Sequence, residues 1–484
     1  MNYRMMGRIN ALILAIMAVF MMPPLFICFA GNDTNGAKAF LLTIFISFFL
    51  AGILALLSIG AKRDFYAREG LISVGLMWIL ISLLGCLPFY FSGQIPKFID
   101  ALFETVSGFT TTGASVVSDV EKMTKGMLYW RSFTHWVGGM GVLVFLLALL
   151  PISGKNEGFT MHLLRAESPG PDVGKLVPKM RHTAAILYTT YFVLTLLAII
   201  VYVIGGMPVF EAICNAFGTA GTGGFGVKND SFASYSPFLQ NACTVFMLLF
   251  GVNFSCYFLL IMGHFKNVFK DDELKLYLGI VLGSAALITV NIRTLYTTLG
   301  ETVRHAFFQV ATVITTTGFS TADFDAWPAF SKGILLCLMI IGACAGSTGG
   351  GLKCARVLLL IKGIKRNIAQ ILRPRKVQAV RVNGKAIDEK IIANTNAYFA
   401  TYIFILAISF LIISLDEFSI TTNFSAVVAC LNNIGPGLDS VGPTHTYAAF
   451  SPLSKIVLII NMLAGRLEIF PILVLFFPPS WRKR

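Results

Sequence analysis

Long apolar runs, separated by short charged or glycine-rich stretches, dominate the pattern of hydrophobic and polar positions along the chain. A transmembrane helix needs about 20 mostly apolar residues to cross a hydrocarbon core about 30 Å thick. Runs of this kind predict about ten spans, at 9–30, 38–60, 71–92, 128–152, 183–206, 237–262, 274–299, 333–361, 392–415 and 452–478. The pattern therefore predicts an all-α protein that crosses the membrane many times.

Four of the stretches between these spans are too long and too apolar to be simple connections. Each holds an amphipathic run of about one dozen residues followed by a stretch rich in Thr or Gly, at 100–115, 208–226, 303–321 and 423–440. So short a helix cannot span, but it can enter the membrane and return if its non-helical return leg lines a water-filled cavity. We expect four pseudo-repeats of helix, short helix, glycine loop and helix around one central pore, preceded by two extra N-terminal helices.

This repeat divides the chain into five parts. They are an N-terminal helix pair (1–69), a first repeat (70–152), a cytoplasmic loop with the second repeat (153–262), a third repeat whose second helix is broken (263–361), and a basic cytoplasmic loop with the fourth repeat (362–484).

Composition and charge support a membrane protein and give its orientation. Of the 484 residues, 56% are hydrophobic and 13% charged, against about 25% charged in soluble domains, which argues against a water-soluble enzyme. With the N-terminus in the cytoplasm, 25 of the 38 Lys and Arg lie on the cytoplasmic side and 10 outside. The positive-inside rule therefore explains the net charge of +14 without nucleic acid, and it places both termini in the cytoplasm. The nine cysteines form no metal-binding or disulfide pattern.

The glycine loops have the chemistry of a cation filter. Rings of backbone carbonyls replace the hydration shell of an ion, and glycine lets successive carbonyls point at one axis. Two loops are nearly identical, FTTTGAS and ITTTGFS, while the fourth lacks threonine and the second holds Gly221, Gly223 and Gly224 close together. The candidate filter residues are Thr111, Thr112, Gly113, Thr222, Gly223, Thr316, Thr317, Gly318, Asn433, Ile434 and Gly435.

Acidic residues are placed to favour a cation near these loops. Asp100, Glu104, Glu211 and Glu301 lie near the starts of the short helices, whose C-terminal ends would direct a fractional negative charge at the pore. Six more follow the loops and are expected to concentrate cations at the mouth: Asp119, Glu121, Asp230, Asp323, Asp325 and Asp439.

The second helix of the third repeat is interrupted by a glycine-rich stretch at 342–351. Leu352 separates Gly351 from Lys353, so the phosphate-loop pattern GxxxxGK[ST] is absent, and residue 345 is alanine where a nucleophile elbow needs glycine. An unwound segment at membrane depth must line the cavity. We expect a flexible constriction below the filter, with close packing of glycine-rich helices as the alternative.

Arg466 lies deep in the last span, where a charge is costly unless it faces a polar interior. Glu468 is predicted to point to a different helix face, and Lys353 and Arg356 to face the cytoplasm.

His135 is interpreted as a helix-packing residue. The basic stretch 362–390 is open to three interpretations: a solvated face, a contact with anionic membrane lipid, or a docking surface for a cytosolic partner.

These loops make the chain resemble the Trk/Ktr/HKT superfamily of potassium transporters over nearly its whole length, and its two extra N-terminal spans are typical of the TrkH branch. The resemblance implies potassium uptake across the bacterial inner membrane, with Na⁺ or Rb⁺ as possible further ions and no bound cofactor. It implies that Gly113, Gly223, Gly318 and Gly435 are the filter glycines. A homodimer with one pore per chain and a cytosolic nucleotide-binding RCK subunit of the TrkA type are also implied. The residues implied to form the gate are Gly346, Ser347, Thr348, Gly349, Gly350, Gly351 and Arg466.

Three other functions remain as alternatives. A proton- or sodium-coupled symporter would need buried titratable carriers, and no long helix of a repeat places Asp or Glu mid-span. A transporter with inverted repeats is disfavoured because all four short helices are predicted to enter from one side. A membrane enzyme lacks any catalytic constellation.

Overall fold

The computed structural model describes residues 1–61, 66–139, 141, 180–374 and 378–481, and these are almost entirely helical. The chain begins with helices Tyr3–Phe20, Met22–Ala30 and Thr34–Leu57. Side chains cap two of them: Asn2 accepts a hydrogen bond from the Met5 N–H, and Asp33 from the Gly36 N–H. Prolines in the first turn of the second helix suit a helix start, where their missing N–H has no intrahelical acceptor.

Four repeats follow, each with a long first helix, a short helix and a second helix. The first helices are Ala67–Gly85 (continued by Leu87–Phe91), Met180–Ile204, Asp272–Asn291 and Glu389–Ile413. The first to fourth short helices are Phe98–Phe109, Val209–Ala220, Leu299–Ile314 and Ile420–Leu431. The second helices are Lys125–Gly139, Pro237–Phe250 with Phe254–Ile261, Ala329–Ile341 with Cys354–Leu372, and Pro452–Arg466 with Phe470–Phe476.

Within the described residues, six helices are long and apolar enough to cross a membrane. They are Tyr3–Ala30, Thr34–Leu57, Arg68–Phe91, Ile186–Ile204, Asp272–Asn291 and Glu389–Asp416. The other four predicted spans are the second helices of the repeats, and the three described in full are all broken. One bends by 88° between Phe250 and Phe254, and one is interrupted at 342–353. The last is interrupted where Glu468 and Ile469 take positive φ. The predicted span 128–152 continues beyond the described residues.

The short helices lie in the interior, and the long first helices surround them. Nearly every residue of the first and fourth short helices beyond the first turn is buried. Long helices expose large apolar side chains such as Phe45, Leu197, Leu282 and Leu411. This inside-out distribution is that of a helical bundle surrounded by lipid.

A β-hairpin lies within the basic stretch 362–390. Strands Arg381–Val382 and Lys385–Ala386 pair antiparallel across an Asn383-Gly384 turn, with both turn residues at positive φ. Asn383 accepts a hydrogen bond from the Asp272 N–H at 2.7 Å, and Lys362 pairs with the Asp272 carboxylate at 2.6 Å. The hairpin is thereby attached to the start of helix Asp272–Asn291.

Short connecting helices complete the described chain. They are the single turns Val120–Lys122, Arg293–Leu295, Phe324–Ala326, Ser414–Asp416, Asp439–Val441, Tyr447–Ala449 and Pro478–Trp481, and the helix Phe265–Phe269.

Candidate ion pathway

Each short helix ends in the same chain reversal. The first residue past the cap takes a left-handed conformation, with φ of 55° at Thr111, 52° at Thr222, 58° at Thr316 and 56° at Asn433. The next N–H then reaches back to a helix carbonyl five residues earlier, at 2.8 to 2.9 Å in all four repeats. Non-glycine residues adopt this conformation infrequently, so its occurrence in all four repeats shows that they share one backbone conformation here.

Two residues after each of these positions stands a glycine with φ between 80° and 96°: Gly113, Gly224, Gly318 and Gly435. In the second repeat the structure thus places Gly224, not Gly223, at the position of Gly113. The bond from the Gly223 N–H to Gly218 O sets this register, because it matches the bond from Thr112 to Ser107. Gly223 is therefore the counterpart of Thr112. We call residues 110–115, 221–226, 315–320 and 432–437 the first to fourth glycine loops.

The four glycine loops close into one ring. A Cβ atom added to each of the four glycines would lie no more than 2.7 Å from a carbonyl oxygen of a neighbouring loop. The added Cβ would lie next to Gly223 O at Gly113, Thr317 O at Gly224, Ile434 O at Gly318, and Thr112 O at Gly435. Only a residue without a side chain permits this approach.

The ring opens on one side into a cavity of about 140 Å³ lined by all four of its glycines. The carbonyl oxygens of Thr112, Gly223, Thr317 and Ile434 accept no hydrogen bond from any described residue. Buried carbonyls are normally paired, so four unpaired ones in a ring form a site suited to a desolvated cation.

The predicted filter residues all lie in these loops. Thr111, Thr112, Thr222, Thr316, Thr317, Asn433 and Ile434 are fully buried. The two TTTG loops share one brace: Thr110 Oγ1 lies 2.8 Å from Thr112 Oγ1, and Thr315 Oγ1 lies 2.7 Å from Thr317 Oγ1. The fourth loop uses its asparagine instead, because Asn433 Nδ2 donates to Thr112 Oγ1 at 3.0 Å.

None of the six acidic residues that are predicted to concentrate cations at the mouth lines the cavity. Each is engaged locally. Asp119 pairs with Lys122 at 2.9 Å, Asp325 with Lys332 at 3.6 Å, and Asp439 accepts from Thr422 at 2.8 Å. Glu121 and Asp230 accept hydrogen bonds from Asn229 and Ser234, and Asp323 caps its own turn.

The interruption at 342–353, which we call the broken segment, lies directly against the ring on its other side. The Gly350 N–H donates to Thr316 Oγ1 at 2.6 Å. A Cβ on Gly349 would lie 2.8 Å from Thr315 O, so the segment is in backbone contact with the third glycine loop. Thr348 and Gly351 are buried or nearly so, and the segment is non-helical throughout, as predicted from its glycines.

Arg466 connects the broken segment to the first repeat. Its Nη1 donates to Thr348 O at 2.9 Å, and its Nη2 donates to Gly139 O at 2.6 Å and to Gly138 O. A Cβ on Gly139 would lie 2.6 Å from the Gly221 Cα, so these carbonyls lie next to the second glycine loop. One guanidinium thus joins opposite sides of the space below the ring.

Comparison with known proteins identifies the family. The TrkH family, described as cation transport proteins, matches residues 36–290 and 291–483. The chain belongs to the TrkH family. It is 36% identical to the Trk system potassium uptake protein TrkH of Salmonella typhimurium, over all of both chains. It is 32% identical to the Trk system potassium uptake protein TrkG of Escherichia coli, over 96% of this chain and 95% of that one.

A solved structure of the TrkH family shares the fold. The crystal structure of the potassium transporter TrkH from Vibrio parahaemolyticus matches with a TM-score of 0.89 at 31% identity, covering 100% of both chains. This TrkH-family chain is accordingly a transporter and not an enzyme.

Several residues that support the ring in this TrkH-family chain were not predicted to do so. His135 Nε2 accepts from the Phe225 N–H at 3.2 Å, so its Nδ1 donates to Gly108 O at 2.7 Å. It therefore joins the first short helix to the second glycine loop as a neutral imidazole, a more specific role than helix packing.

Glu104 and Arg131 form a second support, an ion pair of 2.6 Å buried behind the first glycine loop. Glu104 also accepts from the Val116 N–H, and Arg131 donates to Gly226 O at 3.1 Å. Glu104 therefore compensates an arginine. It lies in the second turn of its helix and not near the start as predicted, so Asp100 is the acidic residue of the first turn.

The expected cytoplasmic exposure of Lys353 and Arg356 is wrong, because both are buried. Arg356 pairs with Glu468 and lies over the Tyr398 ring at 3.8 Å, and Lys353 donates to Gly349 O. Lys353 is the last residue of the broken segment and Arg356 lies in the first turn of the helix after it, and this break turns both side chains inward. Glu468 thus has Arg356 as an ion-pair partner.

Proposed function

We propose that this chain takes up potassium through one channel-like pathway at its centre. The observation that carries the proposal is the closed ring of four glycine loops, with unpaired carbonyls and a cavity on one side. Relatives over the full length are named potassium uptake proteins, and this favours potassium as the ion. Sodium and rubidium are the competing ions of closest chemistry.

The filter comprises the carbonyl layers of Thr111–Gly113, Thr222–Gly224, Thr316–Gly318 and Asn433–Gly435. Glycine at one position per loop allows a single close-packed layer. We expect weaker discrimination between potassium and sodium than in filters with two glycines per loop.

The gate comprises the broken segment, chiefly Gly346–Gly351, together with Arg466. The segment lies directly under the third glycine loop, and the Arg466 charge would oppose a cation in the space it spans. Removing its hydrogen bonds to the carbonyls of Gly138, Gly139 and Thr348 would release the segment. Opening then requires the loss of a few side-chain contacts rather than a refolding of the ring.

Control from the cytoplasm is assigned to a nucleotide-binding subunit of the TrkA type. The docked hairpin Arg381–Ala386 and the basic helix Cys354–Leu372 that continues from the broken segment offer it a direct connection to the gate. The protein is placed in the bacterial inner membrane, with both termini in the cytoplasm, as a homodimer with one pore in each chain.

Ion flux into liposomes that contain the protein alone tests the proposal. Potassium and sodium uptake would be measured with an imposed voltage and no proton gradient, and then with a proton gradient and no voltage. Inward movement is driven by about 2.3 kcal/mol per charge per 100 mV. Potassium uptake that follows voltage alone is expected, whereas uptake that strictly requires the proton or sodium gradient would establish the symporter instead.

A further inference from the structure

The left-handed position at the start of each glycine loop has a different side-chain partner in each repeat. Thr111 Oγ1 is buried with no hydrogen-bond partner among the described residues. Thr222 Oγ1 donates to Gly221 O at 2.6 Å, within its own loop. Asn433 Nδ2 donates to Thr112 Oγ1 and, at 2.9 Å, to Met462 O. Thr316 Oγ1 instead accepts from the Gly350 N–H, at 2.6 Å.

The contact at Thr316 lies at the junction between the third and fourth glycine loops, which we call the seam and which differs from the other three junctions. The junctions between the other glycine loops are crossed by hydrogen bonds, such as Phe225 to His135, Phe232 to Ser320, and Asn433 to Thr112. Between the described segments 299–328 and 420–450, no hydrogen bond crosses from the third loop to the fourth. That seam is packed with apolar side chains, among them Val310, Phe324, Val428 and Leu438.

The broken segment occupies this seam from below. A Cβ on Gly350 would overlap Asn432 O and lie 3.1 Å from the Asn433 Cβ, while the Gly350 N–H faces Thr316. One residue of the segment therefore contacts the third and the fourth glycine loops at once.

We propose that the Thr316 hydroxyl is a latch that fastens the broken segment to the filter, so that gate position and filter geometry are coupled at this one repeat. The inference rests on the proposed function, in which the segment closes the pathway. The hydroxyl acts through Gly350 and is a positioning group. Without it, the buried Gly350 N–H loses its acceptor and the closed arrangement is disfavoured about fivefold or more.

The test compares Thr316→Val with Thr111→Val, the same substitution at the equivalent position of the first repeat. Valine keeps the β-branched shape and the backbone strain of both sites but removes the hydroxyl. Potassium and sodium flux into liposomes is measured for each variant and for Thr316→Ser, which keeps the acceptor. We expect Thr316→Val to raise both fluxes about fivefold with an unchanged potassium-to-sodium ratio. Thr111→Val removes a hydroxyl that has no hydrogen-bond partner among the described residues and is expected to show no such rise, while Thr316→Ser is expected to show a smaller rise than Thr316→Val.

Two results would overturn the latch: an equal rise in Thr111→Val, or a change in the ion ratio of Thr316→Val without a rise in flux, which would indicate damage to the filter itself. Gly350→Ala keeps the N–H but adds a Cβ that overlaps Asn432 O, so it displaces the segment from the seam and is expected to raise flux even if Thr316→Val does not fold. Arg466→Ala, measured in parallel, separates the two hypotheses. If Arg466→Ala raises flux and neither latch variant does, the latch is wrong and the gate stands; if none of the three raises flux, the gate itself is wrong.

Discussion

The ring of glycine loops and the broken segment beneath it are both built from glycine at membrane depth, but they use it differently. In the ring, one glycine in each of four repeats permits the same close approach to a neighbouring carbonyl. In the segment, Gly342, Gly346 and Gly351 take positive φ within a single repeat, and the other repeats have no such stretch among the described residues. The ring therefore has approximate fourfold symmetry, whereas the segment occurs in only one repeat among the described residues.

The contacts that hold the two regions differ as well. Each glycine loop is fastened to its own short helix by backbone hydrogen bonds of 2.8 to 2.9 Å. The segment is held by side chains from elsewhere, namely Arg466, Thr316, and Glu273, which accepts from the Ala345 N–H at 2.5 Å. Backbone hydrogen bonds also join it to the bend of the second repeat, from the Cys344 N–H to Gly251 O at 3.1 Å and from the Phe254 N–H to Gly346 O at 3.0 Å. The ring cannot move without unwinding helix ends, whereas we expect the loss of a few side-chain contacts to displace the part of the segment that lies against the ring. Substitutions in the first region should abolish transport, and those in the second should increase it.

The largest effect is expected for Gly113→Ala in the ring. The added Cβ overlaps Gly223 O, and φ of 81° disfavours any side chain. A left-handed penalty of about 1–2 kcal/mol and an overpacking cost of about 1–3 kcal/mol predict a loss of potassium flux of about 100-fold. Liposome uptake measures it. The control is Gly283→Ala, since a Cβ there meets nothing within 4 Å. Equal loss in both variants would mean that helix packing, not the ring, was disturbed.

A smaller effect of opposite sign is expected for Arg466→Ala in the second region. The alanine removes a charge and the donors to Thr348 O and Gly139 O, so the closed arrangement loses charge-assisted bonds worth about 1.5–3 kcal/mol each. The loss of one such bond alone, about 1.5 kcal/mol, should raise potassium flux into liposomes at least tenfold. Arg466→Lys keeps the charge but cannot reach all of these carbonyls at once, and it should fall between the parent and alanine. Unchanged flux in a normally folded Arg466→Ala protein would contradict the gate.

The same contrast explains how much of the molecule could be predicted from sequence. The ring recurs four times, so two near-identical TTTG loops and two degenerate ones already indicated a fourfold filter. The register of the second loop was wrong by one residue because three glycines stand between 221 and 224. The register of each loop is decided by the number of residues between the end of its short helix and the glycine. Each ring glycine lies four residues after an apolar helix terminus, at Phe109, Ala220, Ile314 or Leu431.

The asymmetric contacts could not be predicted, because they join residues far apart in the chain. Arg356 and Glu468 are 112 residues apart, and their pairing depends on two separate helix breaks. Glu104 and Arg131 lie on different helices of one repeat, so no helical spacing reveals the pair. The hairpin is different: Asn383-Gly384 is a local turn signal that could have been recognised.

The smallest effect is expected at Tyr447, which joins the symmetric ring to its asymmetric surroundings. Its hydroxyl donates to Gly435 O at 2.7 Å, and its N–H donates to Ser115 O at 2.8 Å, so it fixes the fourth loop against the first. Tyr447→Phe loses one hydrogen bond worth about 1 kcal/mol and should lower the potassium-to-sodium flux ratio about threefold to fivefold, with total flux little changed. Tyr257→Phe, which loses a bond to Leu249 O away from the ring, is the matched control and should leave the ratio unaltered. If both variants alter the ratio, or neither does, the fourth loop does not depend on Tyr447 for its geometry, and the other supports of the ring are sufficient.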